Sequence, residues 1–358
     1  MTRLLSGVAL LVVLGVAVPT APAQEDDPRL AQWESLREQA QDAFHEGDYA
    51  TAERLFRQML GDCASLGERS GWCVGFTKHW LAYALDRAGR NEEAVEILRD
   101  LASSLRRAPE PNPHQLSRIC AAIATISQEI GRYQDAIDAW NEACALWSEE
   151  HGDDGVVLAS LYMSLANAQH EAGRLDDAAT TIGRAMTIYR EHYNEDDAEL
   201  SGVYQFSGRI AWERDRYDEA IDCFDRLYRM SLAANGRGSS STLSALEWRG
   251  HSLANAGRLE DALRDAEELC AVYGERYGET HPEMFRHSLG AARLAITLGH
   301  WDHAADWLAR GERIVEGNDG FDNFDRRDML FERWRFHERR GEAEQAAATL
   351  ERLRAVLN

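Results

Sequence analysis

Seven prolines in 358 residues leave long stretches without a helix breaker. Apart from those near the N-terminus, they fall in polar connectors, at Pro109, Pro111, Pro113 and Pro282. Alternation of apolar and polar residues is nowhere long enough for a β-strand, which excludes a sheet-based fold. The six cysteines never stand as C-x-x-C, so neither a zinc site nor a redox motif is supported. No H-E-x-x-H, Walker loop, dinucleotide fingerprint or nucleophile elbow occurs, and the isolated Gly236 and Gly238 run into serines as a linker. His45-Glu46 and His170-Glu171 read as polar helix ends. The acidic connector Asn318–Asp325 lacks the ligand order of a calcium loop. An enzyme is therefore not expected, nor a cofactor, nor a metal. Positive charge is in the minority. Lys and Arg total 39 against 61 Asp and Glu, and a formal charge of −22 disfavours nucleic acid and anionic lipid as partners.

Long apolar runs are equally scarce, with one exception. Arg3 precedes the apolar stretch Leu4–Val18, and Ala21-Pro22-Ala23 follows as a small-residue cleavage site. Residues 1–23 read as a secretory signal peptide. The alternative is an uncleaved anchor, for which the run is short against the ~20 residues of a span. No cysteine follows to accept a lipid. The expected product is an exported chain, periplasmic or secreted, with no membrane insertion after cleavage. A polar tail, residues 24–31, leads into the rest of the chain, 32–358.

What fills 32–358 is one hexamer and its variants. GDYATA begins at Gly47, GRNEEA at Gly89, GRYQDA at Gly131, GRLDDA at Gly173, DRYDEA at Asp215, GRLEDA at Gly257, GHWDHA at Gly299 and GEAEQA at Gly341. The starts are 42 residues apart throughout. Gly suits the left-handed residue that ends a helix, and Asp215 is the nearest substitute. Acidic residues follow where a second helix would begin, as in Glu92-Glu93 and Asp176-Asp177, complementing the positive end of its dipole. The closing Ala is present in all eight copies, and seven residues before each start lies a small residue: Ala40, Ala82, Ala124, Ala166, Gly208, Gly250 and Ala292. Trp334 breaks that column in the last copy, which predicts altered packing there. Small residues on facing helices allow axes to approach to about 8–10 Å. Each unit is predicted to be a helix, a tight turn and an antiparallel helix, which must stack on neighbours to bury its apolar face.

This pattern resembles the tetratricopeptide repeat, with small residue, Gly, aromatic, Ala and large apolar residue in order. The large position reads Phe56, Leu98, Trp140, Ile182, Phe224, Ala266, Leu308 and Leu350. The period of 42 residues, longer than the family's usual ~34, and the connector YGETHPE at Tyr277–Glu283 are similar to the kinesin-light-chain-like subclass. The resemblance implies an all-α solenoid, a right-handed superhelix of eight antiparallel hairpins. It also implies a concave groove lined by the first helix of each hairpin, in which a protein or peptide partner docks.

Residues six before each start point away from the packed stripe, toward that groove. They read Gln41, Tyr83, Thr125, Asn167, Arg209, His251, Arg293 and Arg335, neutral in the first half and cationic in the second. Three residues before the starts, Phe44, His170 and Trp212 add to the face. Arg209, His251, Arg293 and Arg335 are candidate grips for a carboxylate, against the alternative of a merely solvated face with pairs such as Arg209–Glu213. Tyr83 and Trp212 are candidate anchors for an apolar side chain. Asn167 looks like the asparagines that hold peptide backbone in related proteins, although the other repeats lack it. Trp80, Phe206 and Trp248 read as packing between repeats. Cys63 and Cys73 flank the first connector and are a candidate disulfide; Cys120 and Cys144 either meet across the third hairpin or pack as small apolar residues, as Cys223 and Cys270 are expected to do.

The expected function is protein or peptide binding in the groove, with a preference for an acidic or carboxylate-bearing segment. The alternative is an assembly scaffold using the outer face or the unusual last repeat, where Phe331 and Trp334 stand. Partner identity and oligomeric state are left open.

Overall fold

The computed structural model describes residues 28–109, 112–195, 197–317 and 320–357. The expected signal peptide lies outside the described residues. Among the described residues the chain forms sixteen α-helices, two short 3-10 turns and no strand. Helix α1 spans Pro28–His45, so the expected polar tail is already helical from Pro28. The rest follow as α2 (Tyr49–Asp62), α3 (Ser70–Arg87), α4 (Asn91–Arg106), α5 (Pro113–Glu129), α6 (Tyr133–His151), α7 (Val156–Glu171) and α8 (Leu175–His192). Then come α9 (Ser201–Glu213), α10 (Tyr217–Asn235), α11 (Ser240–Asn255), α12 (Leu259–Tyr277), α13 (Glu283–Leu298), α14 (Trp301–Glu316), α15 (Asn323–Arg340) and α16 (Ala343–Leu357). Contacts divide the chain into two compact units after His192, four hairpins in each. The 42-residue period runs through that division without a mark.

The hexamer makes each turn by backbone chemistry. Its seven glycines have φ between +74° and +83°, and Asp215 is the one non-glycine residue with positive φ among the described residues, at +58°. The following residue does two jobs. Its N–H closes the first helix by bonding to the carbonyl five residues back, as Arg90 does to Leu85 at 2.8 Å and Arg258 to Leu253 at 2.9 Å. Its own carbonyl accepts the first bond of the second helix, from the invariant Ala: Ala94 to Arg90 at 3.2 Å, Ala262 to Arg258 at 3.1 Å. One residue thus satisfies orphan groups of both helices, which explains why the turn is so short.

The two small-residue columns form the seam of the first seven hairpins, while the last carries Trp334 in the first column. Seven of the eight hexamer alanines are at most 1% exposed, and Ala40, Ala82, Ala124 and Ala166 are fully buried. At Gly208 the approach is tightest: a Cβ there would sit 2.8 Å from Cζ of Phe224. Aromatic side chains join one hairpin to the next. Trp80 on α3 stacks on Phe56 of α2 at 6.1 Å and meets Phe44 of α1 edge-on at 5.4 Å. Four periods later Trp248 repeats both contacts, with Phe224 at 5.6 Å and Trp212 at 5.7 Å. Trp80 and Phe206 are buried, as packing between repeats requires.

The acidic first turns do more than meet the dipole. Arg90 bonds back to Glu53 of the preceding hairpin at 2.6 Å, and Arg132 to Glu92 at 2.7 Å. Arg99 reaches Asp135 and Arg106 reaches Glu142, both at 2.7 Å. These pairs are largely exposed, so they set the register of stacking more than its strength.

Candidate functional site

In the first unit, α3 presents aromatic rings at i, i+4, i+8 and i+11: Trp72, Phe76, Trp80 and Tyr83. That spacing places them on one helix face. The face meets α5 across a cavity of about 70 Å³, lined also by His79, Gln115 and Arg118. Both walls come from first helices of adjacent hairpins. Gly75 permits the approach, because a Cβ there would already be 3.3 Å from the Gln115 side chain. The rings brace one another: Trp72 and Phe76 are 5.8 Å apart, His79 and Tyr83 4.8 Å. The space suits one side chain rather than a cofactor, which needs several hundred Å³.

Charge in this cavity is set by burial. Burial holds His79 neutral, its pKa pushed down to about 3, with Arg118 adding to the effect. Burial also pushes the Tyr83 hydroxyl up to about 12, so it stays protonated. Arg118 feels the same desolvation, which lowers its pKa, while Tyr83 opposes the change. A guanidinium does not give up its proton in a protein, so Arg118 keeps its charge despite the burial. Around neutral pH the lining therefore carries a positive charge among aromatic rings. Just beyond Tyr83, Asp86 is raised to about 6, mainly by burial and then by the nearby Glu129.

The residues expected from the groove column divide between the units. Tyr83 and Asn167 belong to the first; Tyr83 is a wall of the cavity, and Asn167 is half-buried on α7. In the second unit Trp212 packs against Trp248, and His251 is exposed with its ring 6.3 Å from the same indole. The Arg209 guanidinium lies 5.7 Å from the ring of Phe206. At the far end of the expected four-residue cationic stripe, two of the arginines share a partner. Arg293 donates through Nε to Glu332 Oε1 at 2.8 Å, and Arg335 through Nη1 to Glu332 Oε2 at 2.7 Å. Glu332 is 1% exposed. Packing of α15 on α13 inserts this carboxylate between the two guanidinium groups, so one of their two positive charges is balanced within the fold.

The two cysteines of the candidate disulfide, Cys63 and Cys73, are both buried and lie within hydrogen-bonding reach of each other. Hydrogen bonding from Cys73 is the main cause that lowers Cys63 to about 7. Cys120 and Cys144 pack among different neighbours, and burial raises both to about 12.

Sequence reasoning missed Trp72, Phe76, His79 and Arg118, because it followed the positions six and three residues before each start. The helical spacing of aromatics from 72 to 83 was the available signal. Four periods on, the residues that correspond to Trp72, Phe76, His79 and Tyr83 are Ser240, Ser244, Glu247 and His251, which cannot build the same walls. No helix of the described residues is long and apolar enough to cross a membrane.

Comparison with known proteins agrees with the fold. Models described as tetratricopeptide repeat match residues 33–58 and 76–100, 117–191 and 207–271. A crystal structure of kinesin light chain nearly identical TPR-like repeats from Podosopora anserina is 15% identical, with a TM-score of 0.51 over 59% of this chain and 100% of that one. The apo form of RapI is 11% identical, with a TM-score of 0.56 over 90% of this chain and 87% of that one. Both share the fold. No curated protein matches the chain.

Proposed function

The chain belongs to the tetratricopeptide repeat family, and on that premise we propose that it is a non-enzymatic adaptor that grips a segment of a partner protein along its first helices. The family is one of protein-interaction repeats. The observation that carries the reading is the aromatic cavity between α3 and α5, with Arg118 on its wall. An apolar side chain fits among Trp72, Phe76, Trp80 and Tyr83, and a neighbouring carboxylate of the same segment reaches Arg118. Arg209 and His251 support the same preference in the second unit. Arg293 and Arg335 support it less, since Glu332 engages both. We further propose that residues 1–23 are removed on export, to the periplasm or beyond. Sequencing the N-terminus of the protein isolated from its own cells checks this.

The test of binding is crosslinked capture from those cells by the full chain and by variants. Tyr83→Ala and Arg118→Glu should each lose the captured partner, with helicity retained. Arg293→Glu should retain most of it. Equal capture by all of them would reject the cavity as the docking site.

A second reading has one observation in its favour. Phe331 is 43% exposed and pairs with Trp334 at 5.6 Å on the last hairpin. Beside them Trp334, Ala346 and Leu350 line an open cleft. An assembly contact there would appear as concentration-dependent self-association in sedimentation, abolished by Phe331→Ser.

A further inference from the structure

The open end of the third hairpin lies opposite its GRYQDA turn. There the start of α5 meets the end of α6, because the two helices are antiparallel. His114 is the second residue of α5, and Glu150 and His151 close α6. One donor atom from each of the three lies within 4.8 Å of the others. The two imidazoles share a support, the Trp147 indole. It is stacked on His151 at 4.2 Å and 13°, and its centroid is 5.2 Å from that of His114. His151 Nδ1 is 3.3 Å from the carbonyl oxygen of Trp147. A proton on Nδ1 donated to that carbonyl leaves the lone pair on Nε2, the arrangement in which ligating histidines are commonly held.

We propose that His114, Glu150 and His151 form a site for one divalent first-row transition-metal ion, with zinc as the reference ion. Two imidazoles and one carboxylate select such ions over magnesium or calcium, which take all-oxygen sets. Ligand bonds of ~2.0–2.1 Å in a tetrahedron put donor atoms roughly 3.3 Å apart. Reaching that from the observed spacing takes side-chain rotation, which the exposed Glu150 is placed to make while Trp147 holds His151. The Glu150 carboxylate favours a cation here; the C-terminus of α6 and the N-terminus of α5 bring dipole ends of opposite sign that offset each other, and Arg118, one turn along α5, opposes the cation. Three protein ligands leave a fourth position open. The ion ties the beginning of one helix to the end of the next and so clasps the hairpin at its unclosed end. This inference does not depend on the groove reading.

The experiment titrates the full chain with zinc against a chromogenic chelator and repeats the titration with cobalt(II), following its visible absorption. The expected result is one tight equivalent per chain and a cobalt spectrum of four-coordinate type. His114→Ala, His151→Ala and Glu150→Gln should each weaken that equivalent by at least about tenfold. His303→Ala, which removes a histidine paired with Glu267 elsewhere, should leave it unchanged. Wild-type affinity in the three variants, or no stoichiometric ion in the wild type, would overturn the assignment. Should either histidine variant lose helicity, Glu150→Gln decides alone, because its exposed side chain has no packing role.

Discussion

Gly208 and Gly250 occupy the same column of the repeat, yet adding one methyl group to each should shift stability in opposite directions. In a helix interior Ala is favoured over Gly by about 1 kcal/mol. At Gly250 the new Cβ would stand 3.4 Å from Cβ of Asp265, an ordinary contact. Gly250→Ala should therefore stabilise the protein by about 0.5–1 kcal/mol. At Gly208 the new atom would stand 2.8 Å from Cζ and 3.0 Å from both Cε atoms of Phe224. That ring is fully buried and backed by Trp248 at 5.6 Å, so it has no room to withdraw. Overpacking of this kind costs about 1–3 kcal/mol, here toward the upper end. Net of the helix gain, Gly208→Ala should destabilise by about 2 kcal/mol. Phe224→Leu alone leaves a void and should cost about 1–2 kcal/mol, less than the ~3–5 of a change to Ala. Combined with Gly208→Ala it gives the new methyl space, so the double variant should be more stable than the sum of the single effects by at least 1 kcal/mol or so. Urea denaturation followed by far-ultraviolet circular dichroism measures all four variants. Additivity within about 0.5 kcal/mol, or equal effects at the two glycines, would refute the packing argument.

Asp86 supplies a pH test. Its folded pKa of about 6 lies above the unfolded value, so the stability it contributes is complete below about pH 4 and is lost as pH rises through about 6. Asp86→Asn keeps an acceptor for Asn91, which donates to Asp86 Oδ1 at 3.2 Å. The variant should be more stable than wild type at pH 7.5 by on the order of 2 kcal/mol, allowing for partial screening, with the gap closing by pH 4. A gap independent of pH would contradict this. Glu332→Gln removes the carboxylate between Arg293 and Arg335 while preserving an acceptor. Because the Arg293 side chain is 55% exposed, the loss should be about 1–2 kcal/mol rather than the ~3–5 of a fully buried pair. Thermal unfolding with no change in midpoint would show that the two guanidinium groups find water equally good.

The repeat was legible because its determinants are close together in the chain. Gly131 must accept positive φ, Arg132 must link two helices, and Ala136 must fit a neighbouring axis; six consecutive residues state all three requirements. The groove column was legible only as a direction along each first helix. It located Tyr83 on a wall of the cavity, and it located Arg335 with Glu332 three residues before it on the same helix, without revealing that Arg293 would join that carboxylate from α13. The aromatic run from Trp72 to Tyr83 could have been read from its spacing, but Arg118 joins it from another hairpin, and no local pattern announces that meeting.

The amino-acid order alone determined helix, turn, period and seam, since each depends on backbone conformation or side-chain size within a few residues. Three-dimensional packing decided the rest. It divided the contacts after His192, gave Arg293 and Arg335 a common buried carboxylate, enclosed a cavity between α3 and α5, and gathered His114 with His151. Those outcomes depend on which side chains from separate helices come within a few ångströms of each other. Electrostatic and dispersion energies fall steeply with that distance, and distance between helices is not written in any single stretch of the chain.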